Sequence, residues 1–275
     1  RPSNRYRPRV WFECQSAAVR PETVAFFFES PSNPLLELVD ISAVAQIAHE
    51  SRSKTKRPVR VLVDNVFATP LLQRPLDLGA DVVIYSTTKH IDGQGRVLGG
   101  AILGDQEFID ESLQPYLRNT GPAISPFNAW VMLKSLETLH LRVERQCDSA
   151  ESLSHWLASQ QQVERVLYPH HPAHPQHELA KRQMTRGSTL VAFEVKGGRE
   201  GAFAFQRALE LIDISNNLGD SRSIITHPAT TTHSKIGEAA RAELGITDGV
   251  MRLSVGLEDV EDLRDDLATG LSALA

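Results

Sequence analysis

Lys89 stands where an apolar run gives way to small hydroxyl residues and then to glycines, in Asp81-Val-Val-Ile-Tyr-Ser-Thr-Thr-Lys-His-Ile-Asp-Gly-Gln-Gly95. An earlier apolar run, Val59-Arg-Val-Leu-Val-Asp64, ends in an acid. Two such strand ends would present an amine and a carboxylate to one site. Pyridoxal phosphate (PLP) chemistry uses that pair: the amine forms a Schiff base, and the acid keeps the pyridine nitrogen protonated. Ser86 and Thr88 add two hydroxyls suited to a phosphate, spaced to face the lysine's side. A lysine in water is protonated and a poor nucleophile, and partial burial moves it toward the free amine. Each residue also has a plainer reading. Lys89 alone is a solvated charge after a strand, and Asp64 alone is a strand terminus or helix cap.

Two further residues extend the constellation. Asn33, in the turn Ser30-Pro-Ser-Asn-Pro34, is placed to hydrogen-bond a ring oxygen or a substrate carboxylate, or simply to make the turn. Arg252 lies inside the apolar run Val250-Met-Arg-Leu-Ser-Val-Gly-Leu. A charge there needs a partner, either a substrate carboxylate held by a two-pronged clamp or a structural salt bridge. Ser215–Asp220, which contains Asn217, and Ile225–His233 read as polar loops lining a cleft. Their histidines, His227 and His233, are not needed as bases, since the lysine can serve as both acid and base.

The elements that must hold these residues alternate. Thr23–Ser30 reads as a buried strand closed by the proline turn, and Asp40–Glu50 as a helix with Asp40 as its N-cap. Ser51–Arg57 reads as a basic loop. Val59–Val63, Val82–Tyr85 and Leu98–Leu103 read as strands, with Leu76–Leu78 in a short connection. Such alternation predicts an α/β layer with a mostly parallel sheet, whose ligands gather beyond the carboxyl ends of the strands. Pro126–Ser159 reads as one long helix leading to a second unit. That unit has strands at Thr189–Val195 and Met251–Val255, helices at Glu200–Ile212 and Ser234–Glu243, and a closing acidic amphipathic helix from Glu258.

Composition narrows the class. The 275 residues are 41% hydrophobic and 23% charged, which suits a globular chain rather than a disordered one. A net charge of −5 gives no reason to expect a nucleic-acid partner, and no apolar run is long enough to span a bilayer. Two cysteines, Cys14 and Cys147, make no framework and point to a reducing, cytoplasmic compartment. His170-His171-Pro-Ala-His174-Pro-Gln-His177 is proline-interrupted and reads as a polar surface loop, so no metal is expected.

Taken together the motifs resemble the PLP-dependent enzymes of cysteine and methionine metabolism. The matching segments are Glu29-Ser-Pro-Ser-Asn-Pro-Leu, Val63-Asp-Asn-Val-Phe-Ala-Thr-Pro, Ser86-Thr-Thr-Lys-His, Ser125-Pro-Phe, Ser135-Leu-Glu-Thr-Leu, His227-Pro-Ala-Thr and Arg252-Leu-Ser-Val-Gly-Leu-Glu-Asp. The resemblance implies the fold type I, aspartate-aminotransferase-like α/β architecture. It implies a large PLP-binding domain, present here in part over 1–140, and a smaller α+β C-terminal domain over 141–275 that includes the linking helix. It implies Lys89 as the Schiff-base lysine, Asp64 at the pyridine nitrogen, Ser86 and Thr88 at the phosphate, Asn33 at cofactor or substrate, and Arg252 and Asn217 at the substrate.

The segment Asn217-Leu-Gly-Asp220 and the run Thr230-Thr-Thr-His-Ser resemble the homoserine-ester sulfhydrylase branch, with the succinyl ester favoured. The implied reaction is γ-replacement on an activated homoserine ester by sulfide, giving homocysteine. Cystathionine γ-synthase or γ-lyase chemistry, or an inactive truncated remnant, are the alternatives. The resemblance also implies an amino-acid substrate, sulfide or a thiol as second substrate, and a homo-oligomer built as a dimer of dimers. Relatives carry an additional N-terminal portion with a phosphate loop and a ring-stacking tyrosine. The chain is therefore expected to be truncated and to retain PLP weakly.

Overall fold

The computed structural model describes residues 16–56 and 58–274, with Cys14, Arg57 and the basic opening stretch outside them. A four-stranded sheet comprises β1 (Ala25–Glu29), β2 (Arg60–Asp64), β3 (Val82–Ser86) and β4 (Gly100–Gly104) in that order. The first three are parallel and β4 is antiparallel to β3, so the expected mostly parallel sheet is found. Helix α1 (Ile41–Glu50) covers one face of it, packing Ile41, Val44 and Ala48 on Val61 and Val63. The Asp40 carboxylate accepts a hydrogen bond from the Ala43 N–H at 3.1 Å, the expected N-cap.

A five-stranded sheet follows. It is formed by β5 (Val163–Leu167), β6 (Leu190–Val195), β7 (Asp213–Ile214), β8 (Ile224–Thr226) and β9 (Val250–Ser254), in the order β5-β6-β9-β8-β7. All its pairs are antiparallel except β7 with β8. Between the sheets runs helix α2 (Pro126–Ala158), a 33-residue element started by Ser125 as N-cap and Pro126 in the first turn. Its middle residues Leu139, Val143 and Cys147 pack on Leu38, Ala68 and Leu72 beside the first sheet. Its last turns place Ala150, Leu153 and Leu157 in the core of the second sheet, with Phe193, Met251 and Leu253. Helices α3 (His177–Gln183), α4 (Gly198–Arg207) and α5 (Val260–Ser272) lie in that half of the chain.

Several expectations need correction. The strand from Thr23 is not buried: β1 is an edge strand, and Phe27 is 66% exposed. Its apolar run resembled a strand covered on both faces, but burial depends on neighbours that the run itself does not specify. Residues Arg52–Thr55 of the expected basic loop form a helical turn that ends at Lys56 in the left-handed region. The expected helix from Glu200 stops at Arg207, and the one from Ser234 is interrupted at Gly237, whose φ of 81° no helix contains. The short strands β5, β7 and β8 were not anticipated. His174 is buried and the His155 and His171 rings meet tilted, with centroids 4.8 Å apart, so the histidine segment is more enclosed than a surface loop. Among the described residues no cluster of three or more His, Cys, Asp or Glu is arranged to hold a metal ion. None of the described helices is long and apolar enough to cross a membrane.

Candidate active site

The carboxyl ends of β1, β2 and β3 lie along one edge of the first sheet and carry Glu29, Asp64 and Ser86. The turn after β3 then returns Lys89 to the same edge, with the Lys89 N–H donating to the Ser86 carbonyl at 3.1 Å. A cleft of about 280 Å³ opens there, with Asn33, Asp64, Ser86, Lys89 and Arg252 among its walls. That volume is near the lower end for a small-ligand site.

Buried polar contacts fix the walls. Behind Asp64, the Asn65 amide donates to the Thr69 carbonyl and the Tyr85 hydroxyl, each at 2.9 Å, and accepts from Gln73 at 2.7 Å. Gln183, from α3, joins by donating to Gln73 at 2.9 Å. The Lys89 turn is held from α2. Arg142 donates to the carbonyls of His90 at 2.8 Å and Ile91 at 3.1 Å. One turn further on, Gln146 donates to the carbonyl of Asp220 at 2.8 Å, so the same helix holds the 217–221 loop. That loop meets the lysine turn at Gly219, which has φ +73°. A Cβ there would lie 2.6 Å from the His90 nitrogen. This is a close backbone approach that only glycine permits.

The charged groups are perturbed in ways that burial explains. Burial lowers the Lys89 amine from its usual value, and the nearby Arg252 charge lowers it further. The amine donates to the side-chain oxygen of Asn217. Burial raises the Asp64 carboxyl, while the Val66 N–H, 3.0 Å from Oδ1, favours the charged form. Arg252 is 1% exposed, and burial brings it down to about 10. Its guanidinium donates to Asn33 Oδ1 at 2.7 Å and to the carbonyls of Asn216 and Asn217 at 3.1 and 3.0 Å. Its Nε is buried with no hydrogen-bond partner among the described residues. All three acceptors are neutral, so the structural salt bridge considered from sequence is not what holds this arginine.

Most of the expected site residues therefore meet. Asn33, Asp64, Ser86, Lys89 and Arg252 line one cleft, and Asn217 reaches it through Lys89. Thr88 does not line it: its hydroxyl accepts from the Gly99 N–H at 3.0 Å and lies 3.3 Å from the Gly99 carbonyl. His227 is bonded to Thr230 and to the Asp248 carbonyl, away from the cleft. Phe67 and Glu29 are cleft residues that the sequence reading did not single out. Phe67 sits under the Arg252 guanidinium, 5.7 Å from ring centroid to Cζ. Glu29 ends β1 directly opposite Asp64. The rule that selected Asp64, an acid closing an apolar run, selects Glu29 as well.

The family model for "Cys/Met metabolism PLP-dependent enzyme" matches residues 8–272. The chain belongs to this family. Among curated relatives it is similar to O-succinylhomoserine sulfhydrylase of Mycobacterium tuberculosis, 54% identical over 93% of this chain and 62% of the relative. O-succinylhomoserine sulfhydrylase of Pseudomonas aeruginosa is 50% identical over 98% of the chain and 65% of the relative. The chain thus spans a little under two thirds of these proteins' lengths. Among solved structures it resembles cystathionine gamma-lyase from Lactobacillus plantarum complexed with L-serine. That match has a TM-score of 0.89 and 32% identity, covering 95% of this chain and 67% of that one. The fold is accordingly the α/β fold of the PLP-dependent family.

The side chains of the cleft fit the cofactor that names the family. An amine with a lowered pKa suits covalent attachment. The half-buried carboxylate at the end of β2, Asp64, suits a nearby cation, which a pyridinium is. The unpartnered Arg252 Nε leaves that guanidinium one donor for a ligand oxygen.

Proposed function

We propose that this protein carries out γ-replacement on an activated homoserine ester, with sulfide as the incoming nucleophile and homocysteine as product. O-Succinylhomoserine is the favoured ester, on the strength of the two relatives that bear that name at 50–54% identity. The observation that carries the reading is the convergence of Lys89, Asp64 and Arg252 on one cleft.

Bound there, pyridoxal phosphate would supply an electron sink for negative charge at the substrate's Cα. Lys89 is the attachment point for the cofactor. As a free amine it would be the base that takes the Cα proton and the acid that returns it. Burial and the Arg252 charge both favour its free-amine form. Asn217 holds that amine between proton transfers. Asp64 holds a proton at the pyridine nitrogen by ionic attraction. Arg252 binds the α-carboxylate, held in orientation by Asn33 and two backbone carbonyls. Ser86 contributes a phosphate donor, and Thr88 joins it only by releasing Gly99. Loss of the γ-ester as succinate and addition of HS⁻ at Cγ balance the reaction.

We further propose that residues 1–140 and 141–275 act as cofactor-binding and small domains, that the active assembly is a homo-oligomer, and that it works in the cytoplasm. The test is an absorbance scan with added PLP. The visible band of a lysine-bound cofactor is expected in the protein and not in Lys89→Ala, and a band of equal strength in that variant rejects the assignment. Supplying O-succinylhomoserine with sulfide or with cysteine then separates homocysteine formation from cystathionine formation.

A further inference from the structure

Glu29 has no role in the chemistry above, yet it occupies the same cleft. It closes β1 in register with Asp64 on β2, and the Asn33 N–H donates to its Oε2 at 3.0 Å. No other hydrogen bond engages its carboxylate among the described residues, and it forms no ion pair with Arg252. Burial and the neighbouring Asp64 charge both raise its pKa, while Asn33 and Arg252 favour its charged form. An acid set next to another carboxylate meets a like-charge repulsion that one backbone hydrogen bond does not offset well.

The charges of the cleft suggest what that cost secures. Its ionisable walls are Lys89 and Arg252 against Glu29 and Asp64. Without Glu29 one negative charge fewer would face a guanidinium with an unused donor. Any small carboxylate would then be drawn to Arg252. An α-amino acid differs from a plain carboxylate in one relevant respect: it brings its own ammonium and is neutral overall. A fixed negative charge in the cleft disfavours the plain anion and is nearly indifferent to the zwitterion.

We propose that Glu29 is a specificity-determining residue of this cleft, admitting α-amino acids to Arg252 while holding off simple carboxylates, including the free acid that the reaction releases. This rests on the reading of Arg252 as the carboxylate clamp and adds to it a reason why the released acid leaves.

The test uses the full chain without cofactor and two probes, acetate and glycine, with binding followed by calorimetry or NMR. Glu29→Gln keeps an acceptor for the Asn33 N–H and removes the charge. Acetate is expected to bind about tenfold more tightly to Glu29→Gln than to the parent, with glycine changed less than about twofold. Glu29→Asp, which keeps the charge, should behave as the parent. Equal acetate affinity in parent and Glu29→Gln, or an equal gain for both probes, overturns the proposal. Arg252→Lys separates the two layers of argument. If that variant binds both probes as the parent does, or if the parent binds neither, the Arg252 reading fails and this one with it. Arg252-dependent binding that ignores Glu29 overturns this proposal alone.

Discussion

Replacing Gly219 with alanine tests whether the lysine turn and the 217–221 loop are truly in backbone contact. Two costs are expected. Gly219 has φ +73°, and an L-residue held there loses roughly 1–2 kcal/mol. The added Cβ would also stand 2.6 Å from the His90 nitrogen and 2.8 Å from its Nδ1. Something must shift, and the atom in the way is backbone rather than a flexible side-chain tip, so an overpacking cost of about 1–3 kcal/mol applies. The sum is about 2–5 kcal/mol. For a chain of this size, with roughly 2 °C of Tm per kcal/mol, the expected loss is about 4–10 °C in a thermal melt followed by circular dichroism. The displacement falls on Lys89 and Asn217, so the PLP absorbance band should weaken in parallel. A Tm within about 1 °C of the parent would refute the close approach and, with it, the claim that the two loops fix each other.

Two other outcomes follow from the described geometry. His90 and His174 are buried, and burial pushes them down to about 3 and about 4, so both fold neutral. Their contribution to stability is full above the unfolded histidine value of about 6.5 and is lost as pH falls from there toward the folded values, because only the unfolded chain takes up the protons. Urea denaturation at pH 7, 6 and 5 should therefore show stability dropping by on the order of 1 kcal/mol per pH unit per histidine below about 6.5, and a flat profile would contradict their burial. Separately, Arg252→Lys keeps the charge but cannot reproduce the fork that reaches Asn33, Asn216 and Asn217. In steady-state kinetics it should raise the amino-acid KM by at least about tenfold, and an unchanged KM would remove Arg252 from the substrate site.

The sequence carried a good deal of this site because the chemistry sits at strand ends. The acid closing Val59–Val63 and the lysine following Val82–Tyr85 were readable since parallel β2 and β3 bring their carboxyl ends to the same edge. Long α2 was readable from start to finish because Ser125 and Pro126 signal its beginning and no breaker interrupts it. Short strands were not. β7 has two residues and β8 three, too few for a period-two pattern to register, and the pairing of β7 with β8 and of β8 with β9 is a tertiary fact. Thr88 marks another limit. Spacing gave it a hydroxyl near the lysine, but the orientation of that hydroxyl depends on Gly99, which approaches only because β4 folds back on β3. The absence of a salt bridge at Arg252 was likewise invisible, since its acceptors come from a turn more than 200 residues upstream and from a loop about 35 residues upstream.

Arg142 and Gln146 are spaced four apart on α2, and each grips a different loop of the cleft. Anyone recombining this chain with a relative should therefore treat the lysine turn, the Asn217 loop and this stretch of helix as one indivisible cassette. A chimera with a crossover between them would pair a grip from one parent with a loop from the other. Its failure would then report on mismatched anchorage rather than on the chemistry of the residues exchanged.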